Sequence, residues 1–129
     1  MATFRQFEDI DAWQRARALV KEIYALTDQG DFARDFSLKD QIRRASVSIM
    51  SNIAEGFERD GTKEFIQFLS IAKGSVGEVK SQLYVALDRG YVTRNEFNML
   101  SELTGETARL IAGLMSYLKQ SDIKGAKYQ

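Results

Sequence analysis

The sequence predicts an all-α fold, an antiparallel up-down bundle of four helices. Apolar residues recur every three or four positions in four segments, which is the spacing of one buried helix face. The 129 residues include no proline, so nothing forces a break inside a long helix. The connections between segments are short, which makes consecutive helices antiparallel neighbours. A chain of this length fits one domain with its own core, so residues 1–129 are expected to form a single bundle domain.

The first helix is expected over about residues 11–28. Gly30 follows its last turn and is expected to end it, because glycine adopts the left-handed conformation that terminates helices. The link that follows is polar apart from Phe32 and Phe36, and both rings are expected to pack against the bundle. The apolar stripe of this helix comprises Trp13, Ala16, Val20, Ile23 and Thr27.

The second helix is expected over about residues 38–56. Ser37 and Asp40 have the three-residue spacing of a capping box, which would satisfy free backbone amides at the helix start. Gly56 is expected to stop the helix. The seam that faces the core comprises Leu38, Ile42, Ala45, Ile49 and Ile53.

The third and fourth helices are expected over about residues 62–89 and 93–119, with a frayed tail at 120–129. Thr93 and Glu96 form a Thr-x-x-Glu capping box at the start of the fourth helix. The third seam comprises Phe65, Leu69, Ala72, Val76, Val79, Leu83 and Ala86. The apolar and small face of the fourth helix comprises Phe97, Leu100, Leu103, Thr104, Thr107, Ile111, Leu114 and Leu118.

The composition excludes several classes of site. Cysteine and histidine are both absent, so no disulfide, no Cys/His zinc site and no Ser-His-Asp set can form. We therefore expect no enzyme, no catalytic residue, no metal site, no cofactor and no small-molecule substrate. The chain carries 18 basic and 18 acidic residues, a net charge of zero, whereas dedicated nucleic-acid binders usually have a basic excess.

Neither a membrane span nor a signal peptide is visible. No apolar run approaches the roughly 20 residues that a spanning helix needs. The first residues lack the basic start and the apolar stretch of a secretory signal. A cytoplasmic location without membrane contact is therefore expected.

Small and polar residues occupy positions where an ordinary amphipathic helix would carry aliphatic ones. Two interpretations are open: these residues fix the register of close helix contacts, or they line a polar pocket with Glu55 and Glu78 as ligands or acid-base groups. The first is favoured because no histidine accompanies the carboxylates. The motif comprises Ser48, Asn52, Glu55 and Gly56 in the second helix and Gly74, Ser75 and Glu78 in the third.

Four basic residues are candidates for phosphate contact. Arg43 and Arg44 are adjacent in the second helix, and Lys73 and Lys80 lie one heptad apart in the third. The arginine side chain presents a planar fork that suits phosphate. The alternative is solvated charge pairing, with Asp40 for example, and the alternating signs along the chain favour it. A nucleic-acid surface would bind with a steep dependence on salt.

The aromatic residues and a surplus of apolar residues bear on assembly. Stacking platforms for single strands interleave aromatic with basic residues, but Trp13, Phe65 and Tyr84 have helical spacing, which favours core or interface packing. The combined apolar width of the second and third helices exceeds one seam, and a partner copy would cover the face left over. We therefore predict a homo-oligomer. The surplus residues are Val47, Met50, Ala54 and Phe57.

The motifs of the second and third helices resemble a known family. The sequences Q-I-R-R-A at 41–45 and S-N-I-A-E-G at 51–56 are similar to those of the four-helix-bundle proteins named for 23S ribosomal RNA intervening sequences. Phe65, Phe68-Leu69, Ala72-Lys73-Gly74-Ser75 and Glu78 match the second half of the pattern, and the resemblance spans residues 8–119. Many members carry Phe-Pro after the first helix, whereas this chain has no proline.

The resemblance implies a single-domain antiparallel bundle that assembles into a ring-like pentamer. A related branch, the accessory proteins of diversity-generating retroelements, is similar and implies contact with a reverse transcriptase and nucleic acid. The basic positions that match are Arg43, Arg44, Lys73 and Lys80. The leading hypothesis is thus a non-enzymatic scaffold that binds structured RNA or a nucleoprotein partner. The alternative is a protein-interaction scaffold without a nucleic-acid role.

Overall fold

Four α-helices account for most of the chain in the computed structural model, which describes the backbone of residues 4–128 and the side chains of residues 4–121. No strand occurs within the described backbone, so the all-α prediction is confirmed. Short 3-10 turns at Phe7–Asp9 and Phe32–Arg34 precede the first and second helices. The helices are α1 (Asp11–Thr27), α2 (Phe36–Glu58), α3 (Thr62–Asp88) and α4 (Arg94–Tyr128).

Each helix packs against two others in a four-cornered arrangement. α1 and α3 both contact α2 and α4. Ser48 of α2 lies opposite Ser75 of α3, and Gly56 lies opposite Phe65, so these two helices are antiparallel. The architecture is the four-helix bundle that the apolar periodicity predicts.

The predicted seams form one apolar core. Every seam residue expected for the second and third helices is buried, and Ile49, at the centre of the second seam, has no exposed surface. The fourth helix adds two buried threonines whose hydroxyls donate to carbonyls of their own helix: Thr104 to Ser101 and Thr107 to Leu103. These two hydroxyls are tolerated in the core because each is paired in this way.

The predicted start of α4 and the predicted end of α1 are confirmed, and a glycine also ends α3. Thr93 Oγ1 accepts from the Glu96 amide at 3.1 Å, and Glu96 Oε1 accepts from the Thr93 amide at 2.8 Å, which is a capping box. Gly30 and Gly90 have φ of 53° and 74°. These left-handed conformations end α1 and α3 at little cost because glycine has no Cβ.

Both predicted ends of α2 are wrong. The helix starts at Phe36 because Asp35 is its N-cap, with Oδ1 accepting from the Leu38 amide at 3.1 Å. Ser37 instead accepts from the Gln41 side chain, so the Ser37 capping box does not form. At the other end, the helix continues through Gly56 to Glu58, since this glycine is buried against α3 rather than left-handed.

Two further expectations need correction. Phe32 is buried as predicted, but Phe36 is 76% exposed, because it occupies the first, outward-facing position of α2. α4 continues to Tyr128 rather than ending near residue 119; Gln129 lies outside the described residues. No proline interrupts this stretch. Within the described residues, no helix has the length and apolarity required to cross a membrane.

Candidate functional site

A small polar network joins α2 to α3. The Ser48 and Ser75 hydroxyls are 3.0 Å apart across the contact. Asn52 Nδ2 donates to the Ser48 hydroxyl at 3.0 Å and to the Ser48 carbonyl at 2.8 Å. These groups are buried or half-buried and are satisfied by one another. Ser48 and Ser75 thus link the two helices, and Asn52 holds the Ser48 hydroxyl from within α2.

The close approach between α2 and α3 depends on one glycine. A Cβ at Gly56 would lie 2.7 Å from the Phe68 Cβ and 2.9 Å from the Phe65 ring, which is closer than carbon atoms pack. Gly74 was expected to share this role, but a Cβ there would meet nothing within 4 Å, and the same holds for Gly77. An α-helix rotates by 100° per residue, so Gly74 faces solvent because its neighbour Ser75 faces α2.

The two candidate carboxylates do not come together. Glu55 and Glu78 are both exposed. Glu55 adjoins Gly56, which lies against Phe68, whereas Glu78 lies ten residues further along α3, about 15 Å away at the rise of a helix. The hypothesis of a shared acid-base or ligand pocket between them gains no geometric support. Within the described side chains, no group of three or more potential metal ligands occurs.

Arg43 is held inside the α1–α2 contact. Its Nε donates to Thr27 Oγ1 at 2.8 Å, and its Nη2 donates to Asp28 Oδ1 at 2.8 Å. The guanidinium also lies 4.2 Å from the centre of the Tyr24 ring. The side chain is only 20% exposed. Its donors are therefore committed to the end of α1 rather than presented to a phosphate.

Arg44 faces solvent beside a groove between α2 and α3. Its Nε donates to Asp40 Oδ2 at 2.9 Å, and the side chain is 79% exposed. The groove has a volume of about 270 Å³ and is lined by Gln41, Arg44, Ala45, Ser48 and Glu78. A cation and a carboxylate thus border the same depression, flanking the Ser48 contact.

Lys73 and Lys80 lie on the opposite side of α3, next to α4. Together with Gly77 and Tyr84 they form a row at spacings of four, three and four residues, and all four are exposed. Within residues 4–121, no carboxylate oxygen lies within 4.0 Å of either lysine nitrogen. We call this row the basic stripe. Of the four basic candidates, the two lysines alone share a surface.

Tyr84 and Arg94 belong to this surface, although the sequence pattern assigned Tyr84 to packing and did not single out Arg94. The Tyr84 ring is 4.8 Å from the ring of Phe97 in α4, and Arg94 Cζ is 5.8 Å from that same ring. Tyr84 is nevertheless 50% exposed. The sequence feature that could have identified Tyr84 as a surface residue is its position four residues after Lys80, on the outward side of the buried seam.

The surplus apolar residues named on α2 are half-buried, and exposed apolar residues lie on α3. Met50, Ala54 and Phe57 pack partly against the core, because α1 covers that side of α2. Ile71 and Val85 are instead 53% and 46% exposed. They share one outward face of α3 with smaller or charged residues; this face, hereafter the outer face, comprises Ile71, Gly74, Glu78, Ser81 and Val85.

An ion pair between α1 and α4 lies away from these surfaces. Arg15 Nε donates to Glu106 Oε1. This hydrogen bond, with the attraction between the charges, raises the pKa of Arg15 above its ordinary value. The guanidinium therefore stays charged throughout the physiological range.

Comparison with known proteins is consistent with this architecture. A sequence profile described as 23S rRNA-intervening sequence protein matches residues 8–113. Among solved structures, the chain is similar to a protein with unknown function from the S23 ribosomal protein family of Bacteroides thetaiotaomicron VPI-5482. The TM-score is 0.73 at 21% sequence identity, over 81% of this chain and 97% of that chain, which shows a shared fold. No curated protein matches the chain.

Proposed function

Because this chain belongs to the 23S rRNA-intervening sequence protein family, we propose that it is a non-enzymatic helical-bundle scaffold that assembles with copies of itself and contacts RNA. The observation that carries the proposal is the division of α3 into two exposed faces. One carries the exposed apolar side chains Ile71 and Val85 among small residues and Glu78, and the other is basic. A helix with two such faces can contact another copy of the chain through one face and present the other face to an anionic partner.

The outer face is the proposed contact between copies. Ile71 and Val85 are large apolar side chains exposed on an otherwise polar helix surface, and burial in an interface would remove them from water. Gly74 and Ser81 lie between them and leave room for a neighbouring helix. Arg44 and Glu78 border the adjoining groove and offer charges of opposite sign to a second copy. A repeated head-to-tail contact that closes gives a ring, and the proposed assembly is a homopentamer.

The basic stripe is the proposed contact with RNA. Lys73 and Lys80 project to solvent without a carboxylate in reach among the described residues, so their charges are available to phosphates. Assembly of several copies would repeat the stripe and raise the avidity for a long RNA. The proposed setting is the cytoplasm, where the partner is a structured RNA or a nucleoprotein such as a reverse-transcriptase complex.

Titration of a structured RNA at two salt concentrations tests the RNA contact. Binding that weakens steeply between low and moderate salt is expected, because the contact releases counterions from phosphates. Lys73→Gln and Lys80→Gln should weaken RNA binding, whereas Lys21→Gln, at an exposed position of α1, should leave it unchanged. Absence of binding even at low salt would remove RNA from the proposal.

A second candidate is a protein-interaction scaffold without a nucleic-acid role. It is favoured by the zero net charge and by the pairing of Arg43 and Arg44 within the chain. Purification from the source cell with and without nuclease separates the two. Partners that remain bound after nuclease treatment, with no RNA recovered before it, support this second function.

A further inference from the structure

We propose that the RNA segment bound by this protein is unpaired, and that a base stacks on Tyr84 while Lys73, Lys80 and Arg94 contact the flanking phosphates. This inference rests on the proposed RNA contact and specifies its chemistry. The segment is a loop, a bulge or an end of a structured RNA.

Tyr84 has the properties of a stacking platform. Half of the residue is exposed, although large aromatic side chains in a bundle usually serve the core. The other side of its ring rests on Phe97, with centroids 4.8 Å apart and planes inclined by 59°. Phe97 itself is only 5% exposed, so it holds the tyrosine from the core side. The ring is thus oriented before a ligand arrives, which lowers the entropy cost of stacking.

The cations lie where a strand that passes over Tyr84 would need them. Lys80 precedes Tyr84 by one helical turn and Lys73 by three turns, so the row from Lys73 to Tyr84 spans about 16 Å. Arg94 lies beyond the tyrosine, beside Phe97. Basic side chains interleaved with an aromatic ring are the pattern of single-strand binding surfaces. Asp88, one turn after Tyr84, limits the stripe on α3, so the strand continues toward Arg94 on α4.

Gly77 leaves space for the strand between the two lysines. It is exposed, and a Cβ built on it would meet nothing within 4 Å. The sugar-phosphate backbone can therefore lie close to the helix between Lys73 and Lys80. Charge and open surface coincide on this part of α3.

The surface favours unpaired over paired RNA. Bases inside an A-form helix are stacked on one another, and its deep major groove cannot be read by side chains. A duplex could therefore reach the lysines but could not place a base on Tyr84. The cations alone would bind both forms with similar affinity, whereas the tyrosine adds a contact that only an unpaired base can make.

Fluorescence anisotropy with two labelled RNAs tests the inference on the full chain. The probes are an oligouridylate of about 12 nucleotides and a blunt-ended RNA duplex of about 12 base pairs, which offers no unpaired base. We expect tighter binding of the oligouridylate. Tyr84→Leu keeps an apolar contact with Phe97 and should weaken binding of the oligouridylate about 5- to 100-fold, with no change for the duplex. Tyr84→Phe should bind like the wild type, and Tyr117→Leu, on the α1 side of α4, serves as the control.

A charge variant supports the test independently of the tyrosine. Gly77→Glu places a carboxylate between Lys73 and Lys80, and it should keep the helix intact because glutamate favours helices over glycine. Binding of the oligouridylate should fall about tenfold or more at low salt. Gly113→Glu makes the same change at another open, exposed helix position and should have little effect.

Three outcomes separate this inference from the proposal on which it rests. Preference for the oligouridylate, lost in Tyr84→Leu and in Gly77→Glu, supports it. Equal binding of both RNAs, or unchanged binding by Tyr84→Leu, overturns it while the RNA contact stands. If neither RNA binds at low salt, both this inference and the RNA contact are overturned.

Discussion

Two serines that face neighbouring helices differ in what their hydroxyls do. Ser48 Oγ bonds to Ser75 and accepts from Asn52. Ser101 Oγ is buried on α4 and has no partner among the described residues. A buried polar group stabilises the fold when paired and destabilises it when it is not.

Replacement of each serine by alanine should therefore have opposite effects. Ser48→Ala removes two hydrogen bonds and leaves Ser75 without its partner, so we expect a loss of about 1–2 kcal/mol in the free energy of unfolding. Ser101→Ala removes an unpaired hydroxyl and introduces a better helix former, so stability should stay constant or rise by about 0.5 kcal/mol. Urea unfolding followed by circular dichroism measures both. A larger loss in Ser101→Ala would contradict the hydrogen-bond assignment.

Two glycines in helix interiors should also respond in opposite ways to replacement by alanine. Gly56→Ala forces a Cβ into the Phe68 Cβ at 2.7 Å, so α2 and α3 must separate, with a loss of about 1–3 kcal/mol. Gly77→Ala meets open space and should stabilise α3 by up to about 1 kcal/mol. Thermal unfolding of the two variants compares them directly. A stabilised Gly56→Ala would mean that the two helices are not in close contact.

At the scale of elements, adjacent arginines in α2 serve different helices. Arg43 ties α2 to the end of α1 through Thr27 and Asp28, whereas Arg44 bonds to Asp40 of its own helix. The rotation of 100° per residue accounts for the difference, because it turns one side chain toward α1 and its neighbour toward solvent.

Alanine at each position should separate these roles. Arg43→Ala removes the hydrogen bonds to Thr27 and Asp28 and the contact with the Tyr24 ring, and should lower the free energy of unfolding by about 1–3 kcal/mol. Arg44→Ala breaks an exposed pair and should cost no more than about 0.5 kcal/mol. Unfolding in denaturant measures the difference. Equal small losses would show that Arg43 does not hold the α1–α2 contact in solution.

The sequence predicted the elements better than their contacts. The seams of α2 and α3 could be predicted because burial of one helix face imposes its period on the residues. The start of α2 could not be predicted, because Asp35 and Ser37 are both good N-cap residues and tertiary packing decides between them. The role of Tyr84 could not be predicted either, because residues of a buried seam and residues of an exposed row recur at the same spacing. The location of α1 decided which side of α2 would be covered.

In the proposed assembly, whole chains meet through the outer face of α3. The bundle covers its own seams, yet Ile71 and Val85 remain in water on a single chain. Their burial by a neighbouring copy would also bring Glu78 and Arg44 near a subunit boundary. Assembly through this face leaves the basic stripe, on the other side of α3, free for RNA.

Light scattering on the purified full chain tests this central claim most directly. The wild type should have a molar mass several times the 14.6 kDa of one chain, with five copies expected for the proposed ring. Ile71→Glu should reduce that mass, because a carboxylate would be buried unpaired in the contact, whereas Met99→Glu, an exposed apolar position on α4, should not. A wild-type mass of one chain, or an assembly that survives Ile71→Glu and Val85→Glu together, would contradict the account.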